Sequence, residues 1–134
     1  LLSKRSKTEM GNAVAVTNRY TIDCQDGITV IRFLKKPSFR ELKEIVDILV
    51  DHYDYRKRLW DMSQIPFDLS LAEIQQISDY GKQKFKQPNK LAMVVRDELV
   101  YGQMRQFSAY RNEHGKAIPG VFWDLKEAIS WLKE

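Results

Sequence analysis

Residues 57–95, KRLWDMSQIPFDLSLAEIQQISDYGKQKFKQPNKLAMVV, decide the fold. The opening KRLWDM reads as a strand. Ser70-Leu71-Ala72-Glu73 then matches a capping box, in which the serine hydroxyl and the glutamate carboxylate each take up an orphan amide at a helix start. A helix follows through SLAEIQQISDYGKQKF, and Leu91 to Val95 form an uninterrupted apolar run, the pattern of a strand buried on both faces. Strand, helix and buried strand in this order make a βαβ unit, which closes with a right-handed crossover onto a parallel sheet.

The same grammar extends outward. Upstream, YTIDC and ITVIRFL are β-rich runs separated by Gln25-Asp26-Gly27, and Asp-Gly between such runs predicts a tight hairpin because both residues tolerate positive φ. Pro37-Ser38 ends the second run, and Ser38-Phe39-Arg40-Glu41 is another capping box. The helix it starts carries Phe39, Leu42, Ile45, Val46, Leu49 and Val50 on one stripe, with Lys43, Glu44, Asp47 and Asp51 opposite. Downstream, Asp97 caps a helix over ELVYGQMRQFSAYRN, a flexible loop NEHGKAIPG follows, GVFWD reads as a strand, and LKEAISWLKE as a last helix, with Asp124 and Glu127 in a third capping box. The expectation is an α/β fold: a mainly parallel five-stranded sheet with a leading antiparallel β-hairpin and four helices. If successive strands are neighbours, right-handed crossovers put every helix on one face and leave the other face open.

The chain has 134 residues, 43% of them apolar, which suits one core of ordinary size. We expect a flexible N-terminal arm over 1–18 and a single domain over 19–134. The net charge of +4 is concentrated early, since Lys4, Arg5 and Lys7 against Glu9 supply about half of it. A nearly balanced remainder argues against a nucleic-acid partner. The single Cys24 excludes an intrachain disulfide and fits a reducing, cytoplasmic setting. No stretch approaches the roughly 20 apolar residues of a membrane span, and the first 18 residues hold no apolar core of signal-peptide length.

Few residues offer reaction chemistry. His52 and His114 make no base-plus-nucleophile or metal-ligand spacing with Cys24, and neither a phosphate loop nor a dinucleotide fingerprint is present, so no cofactor or metal is expected. Lys82, Lys84 and Lys86 complement a helix dipole. Asp61 and Ser63, at the carboxyl end of a parallel strand, are candidates to line a ligand or partner crevice. Tyr101, Gly102 and Arg105 lie within one helical turn, where Gly102 would permit close packing and Arg105 would hold an anion or a carboxylate such as Asp61. Ser70 is a complete helix cap, worth on the order of 1 kcal/mol.

Three segments taken together, RLWDMSQIPFDLS, VVRDELVYGQMRQF and VFWDLKEAISWL, resemble the SpoIIAA-like group of the STAS and SEC14-type fold, from about Tyr20 to the C-terminus. The resemblance implies a small cytoplasmic bacterial domain. Its better-understood relatives are anti-sigma factor antagonists, regulated by phosphorylation of a serine at the start of the second helix, and lipid carriers that enclose an apolar ligand. Asp68 and Ser70 fall on the antagonists' phosphoacceptor turn, which makes Ser70 a phosphoacceptor or a cap and adds Asp68 to the crevice candidates. Leu69 and Leu71 replace the small residues of that turn. The function expected first is a non-enzymatic protein-interaction or regulatory module whose partner is a protein, a homodimer included. The alternative is a carrier or sensor of a small apolar or lipid-like ligand, for which Trp60, Phe67, Met104 and Phe107 are the candidate walls. An enzyme ranks last.

Overall fold

A computed structural model describes residues 15–114 and 116–134. Six strands and four helices are present among them: β1 Ala15–Val16, β2 Tyr20–Gln25, β3 Ile28–Phe33, α1 Phe39–His52, β4 Lys57–Asp61, α2 Leu71–Lys84, β5 Asn89–Val94, α3 Glu98–His114, β6 Ala117–Phe122 and α4 Leu125–Lys133. The strands lie in chain order across one mixed sheet, β1-β2-β3-β4-β5-β6. Pairing is antiparallel for β1 with β2 and β2 with β3, and parallel from β3 to β6.

The α/β class, the leading hairpin and the parallel remainder therefore appear as expected. Asp26 and Gly27 take φ of 53° and 77° and join β2 to β3 with Gln25 opposite Ile28, the two-residue turn whose twist matches that of its strands. Two differences concern extents. The end of the segment expected to be an arm supplies the two-residue strand β1, while residues 1–14 lie outside the described residues. The segment expected to be a flexible loop is largely taken up by α3, which runs on to His114, and by β6, which begins at Ala117. Pro119 sits in β6, the edge strand, where a missing amide donor is tolerated.

The register sets what each face holds. Ile31, Trp60, Met93 and Val121 stand side by side on one face, and the neighbouring row Val30, Leu59, Ala92 and Gly120 on the other. The first face packs against α1, α2 and α3 in the major core, with Ile22, Phe33, Ile45, Leu49, Ile74 and Leu91 fully buried. The second face was expected to be open, with all four helices opposite. Instead α4 covers its β4–β6 half, burying Ala128 and Leu132 against Ile28, Val30, Leu59, Ala92 and Val94. The handedness rule explains the exception: it governs helices that link two parallel strands, and α4 links no two of the described strands. Gly120 makes room for this arrangement, because a Cβ there would stand 2.9 Å from the ring of Phe122 and 3.3 Å from that of Trp131.

Capping residues start the helices as the spacing predicts, with one correction. Ser38 and Ser70 both form reciprocal boxes with Glu41 and Glu73, and Asp97 accepts from the Val100 amide at 2.9 Å. Asp124 caps α4 differently: its carboxylate accepts from the Lys126 amide, two residues on, and no reciprocal bond from Glu127 forms. The Asp124 carboxylate is turned to the second-position amide, which leaves the third-position pairing unmade.

Leu132 anchors α4 with no exposed surface. Leu132→Ala should cost about 2–5 kcal/mol, read as a lower urea midpoint, whereas Leu99→Ala, at a side chain 63% exposed, should stay within about 0.5 kcal/mol. Equal effects from the two would contradict the placement of α4.

Candidate functional site

The residues singled out from the sequence do not converge on one crevice. Asp61 is buried on the α4 side of the sheet, where its carboxylate accepts from Arg32 Nε at 3.2 Å and from the Ser63 amide at 3.0 Å and hydroxyl at 2.5 Å. Arg105 rides on α3, on the other side of the sheet, and its Nη1 reaches the Tyr101 hydroxyl at 3.3 Å instead. The anticipated Asp61–Arg105 pairing is thus corrected: Asp61 follows Trp60 by one residue, so the pleat turns it away from α3. Tyr101 stacks on Trp123 with centroids 4.7 Å apart and planes 7° from parallel. Gly102, expected to permit close packing, faces open space, since a Cβ there would meet nothing within 4 Å. Asp68 forms an exposed pair with Lys36 at 3.4 Å. Ser70 accepts from the Glu73 amide at 3.1 Å while its own amide donates to the Glu73 carboxylate at 2.9 Å.

A different set of residues does converge. Trp60, Phe67, Met104 and Phe107, named from the sequence as walls of an apolar ligand space, all line one cavity between the sheet and α1–α3. The cavity measures about 490 Å³ counting its mouth, although in the present conformation it seats only roughly three water-sized groups. Leu42, Val46, Ile77, Leu91 and Met93 complete an almost wholly apolar wall. Phe33 braces the wall, packing at 5.4 Å from Trp60 and 4.9 Å edge-on from Phe67. Gln103 fixes the 67–70 loop over it with a reciprocal pair of bonds to the Leu69 backbone, 3.1 Å to the amide and 2.7 Å to the carbonyl.

Two arginines, missed by the sequence reading, break this apolar lining. Arg58 and Arg111 are each 1% exposed and both belong to the cavity wall. Arg58 enters from β4 because it alternates in phase with Trp60, and Thr29 and Leu91 flank it in the sheet. Its Nη1 donates to the Tyr55 carbonyl at 3.0 Å and to Asn89 Oδ1 at 2.8 Å, and its guanidinium lies 4.0 Å over the Phe85 ring, a cation–π contact that offsets part of the desolvation. Asn89 is held in turn by its bond to the Gln87 carbonyl at 2.8 Å.

Arg111 lacks such company. It continues the inward stripe of α3 after Met104 and Phe107, and its guanidinium carbon and Nε lie 3.6 Å from where a Cβ on Gly81 would stand. Neither Nη1 nor Nη2 has a hydrogen-bond partner, nor has Arg58 Nε, nor the indole Nε1 of Trp60 on the same wall. No acidic side chain lines the cavity among the described residues. Burial, and after it the nearby charge of Arg111, pushes Arg58 down to about 9, and burial lowers Arg111. Arg58 at that value is charged at neutral pH, as arginine in general is, so the core holds two positive charges with one of them uncompensated. An isolated buried ion costs on the order of several kcal/mol even after relaxation.

Comparison of the chain with family models, with curated proteins and with solved structures gave no match.

Ser70→Ala should destabilise the protein by about 0.5–2 kcal/mol through loss of the cap, and Ser70→Asp should melt close to the parent because aspartate caps as well and suits the helix dipole. Arg111→Met should act in the opposite sense on ligand-free protein, raising stability by about 1–4 kcal/mol because an unpaired buried charge gives way to an apolar chain of similar length. A lowered urea midpoint for Arg111→Met would show that the guanidinium is satisfied within the fold.

Proposed function

We propose that this domain is a non-enzymatic carrier or sensor of a small apolar or lipid-like molecule, held in the cavity between the sheet and α1–α3. One observation carries the reading: Trp60, Phe67, Met93, Met104 and Phe107 line a single apolar space that reaches the surface and, as it stands, seats roughly three water-sized groups. Methionine and aromatic side chains around such a space adapt to an apolar guest at little cost. The lining presents apolar surface and N–H donors, with no thiol, imidazole or carboxylate among its side chains, which favours binding over chemistry. The resemblance to SpoIIAA-like domains, on its SEC14 side, points the same way.

A second reading, a docking module for a protein partner, is favoured by a separate observation. Trp123 is 49% exposed and stacks on Tyr101, with Arg105 bonded to the same tyrosine, and such aromatic and arginine groupings are over-represented where proteins meet. A second copy of the chain is one partner it would suit. Ser70 needs no regulatory role in either reading.

Trp60 reports on the cavity directly. Titration with octan-1-ol should change the intrinsic fluorescence saturably, and Trp60→Phe should remove most of that change while Trp123 and Trp131 remain. Native mass spectrometry of protein purified from its host should show a bound small molecule. A flat titration together with a bare mass would overturn the carrier reading.

A further inference from the structure

The carrier reading leaves the chemical class of the guest open, and the donors around the cavity narrow it. Every unpartnered polar atom in the wall is a donor: Nη1 and Nη2 of Arg111, Nε of Arg58 and Nε1 of Trp60. None of these groups can accept. A donor-only wall calls for an acceptor-only guest, and an ionised carboxylate is that group, since both its oxygens accept and neither donates. Water would satisfy some N–H groups but would leave the charge uncompensated.

We infer that the guest is an amphipathic monocarboxylate, its carboxylate seated on the terminal nitrogens of Arg111 and its apolar chain lying along the Met, Leu and Phe wall. This rests on the carrier reading and extends it. The charge count supports a single negative group, because Arg58 already has the Tyr55 carbonyl, Asn89 and the Phe85 ring, whereas the end of Arg111 has nothing. Shape supports a carboxylate over a phosphate. The planar fork of a guanidinium matches a planar carboxylate bidentately, whereas a tetrahedral phosphate head offers no such planar match. The guanidinium carbon and Nε of Arg111 lie 3.6 Å from where a Cβ on Gly81 would stand, which seats the group beside α2 at the cavity wall.

Octanoate and octan-1-ol share a chain and differ in the head. The alcohol is the more apolar of the two, so a merely greasy cavity would prefer it, and preference for the ion must come from the cation. Calorimetric titration of the intact protein should give at least tenfold tighter binding of octanoate. Arg111→Met should erase that preference by weakening octanoate binding at least tenfold more than octan-1-ol binding, and Arg111→Lys, which keeps the charge without the fork, should recover part of it. Equal affinities in the parent, or octanoate binding that survives Arg111→Met, would overturn the carboxylate site while the carrier reading stood. Octyl phosphate binding more tightly than octanoate would overturn the choice of carboxylate. Absence of binding by either eight-carbon probe would remove the carrier reading, and this inference with it.

Discussion

The constraint on which the rest depends is that β3, β4, β5 and β6 are laid side by side in chain order, each joined to the next through a helix, α1, α2 or α3, packed on the same face of the sheet, the arrangement that crossovers of one hand require. Unidirectional winding of this kind leaves no place where the strand order reverses. The usual crevice of a doubly wound sheet, which opens at such a reversal, is therefore missing, and a guest must be housed between the sheet and the helices. α1, α2 and α3 are obliged to share one face, and the interior cavity lies between this helix layer and the row of Trp60 and Met93. Asp61, Ser63 and Asp68 sit near the strand ends where a reversed order would have made a pocket, yet each has a local partner that satisfies it.

Arg58 and Arg111 illustrate how a fold can carry a charge that its own stability disfavours. Burying a guanidinium against apolar neighbours opposes folding, and Arg58 is made tolerable by a carbonyl, an amide oxygen and an aromatic face. Arg111 receives no comparable support. A local conflict between sequence and fold of this sort is the pattern expected where a residue serves binding in preference to stability. The proximity of the two cations adds repulsion to desolvation, so a single anion placed between the helices and the sheet relieves both.

Much of this architecture was legible beforehand because local signals agreed with one another. The Asp26-Gly27 turn, the serine boxes at Ser38 and Ser70 and the apolar run at Leu91 each demanded one conformation, and the βα alternation left one sheet class. The cavity walls Trp60, Phe67, Met104 and Phe107 were also named in advance, as bulky apolar residues that a carrier of an apolar ligand would use. The arginines were overlooked although their phase was readable: Arg58 is two residues from Trp60 on a strand, and Arg111 falls four after Phe107 on a helix. A lone arginine on such a stripe is ordinarily assumed to snorkel to water, and only tertiary packing shows that these two do not. The placement of α4 was beyond local reasoning, since a helix after the last strand obeys no crossover rule. Asp61 and Arg105 were matched by charge alone, when the pleat already assigned them to opposite faces.

The division of the apolar residues by the sheet has a dynamic consequence. The two cores share strand backbones but are built from different side chains, the larger under α1–α3 and the smaller under α4. Detachment of α4 exposes only the smaller set and breaks none of the strand pairings among the described residues, because α4 is packed on the sheet and links no two of its strands. Local opening of α4 below the free energy of global unfolding is the motion this division favours, and the larger core with its cavity lies in the opposite layer.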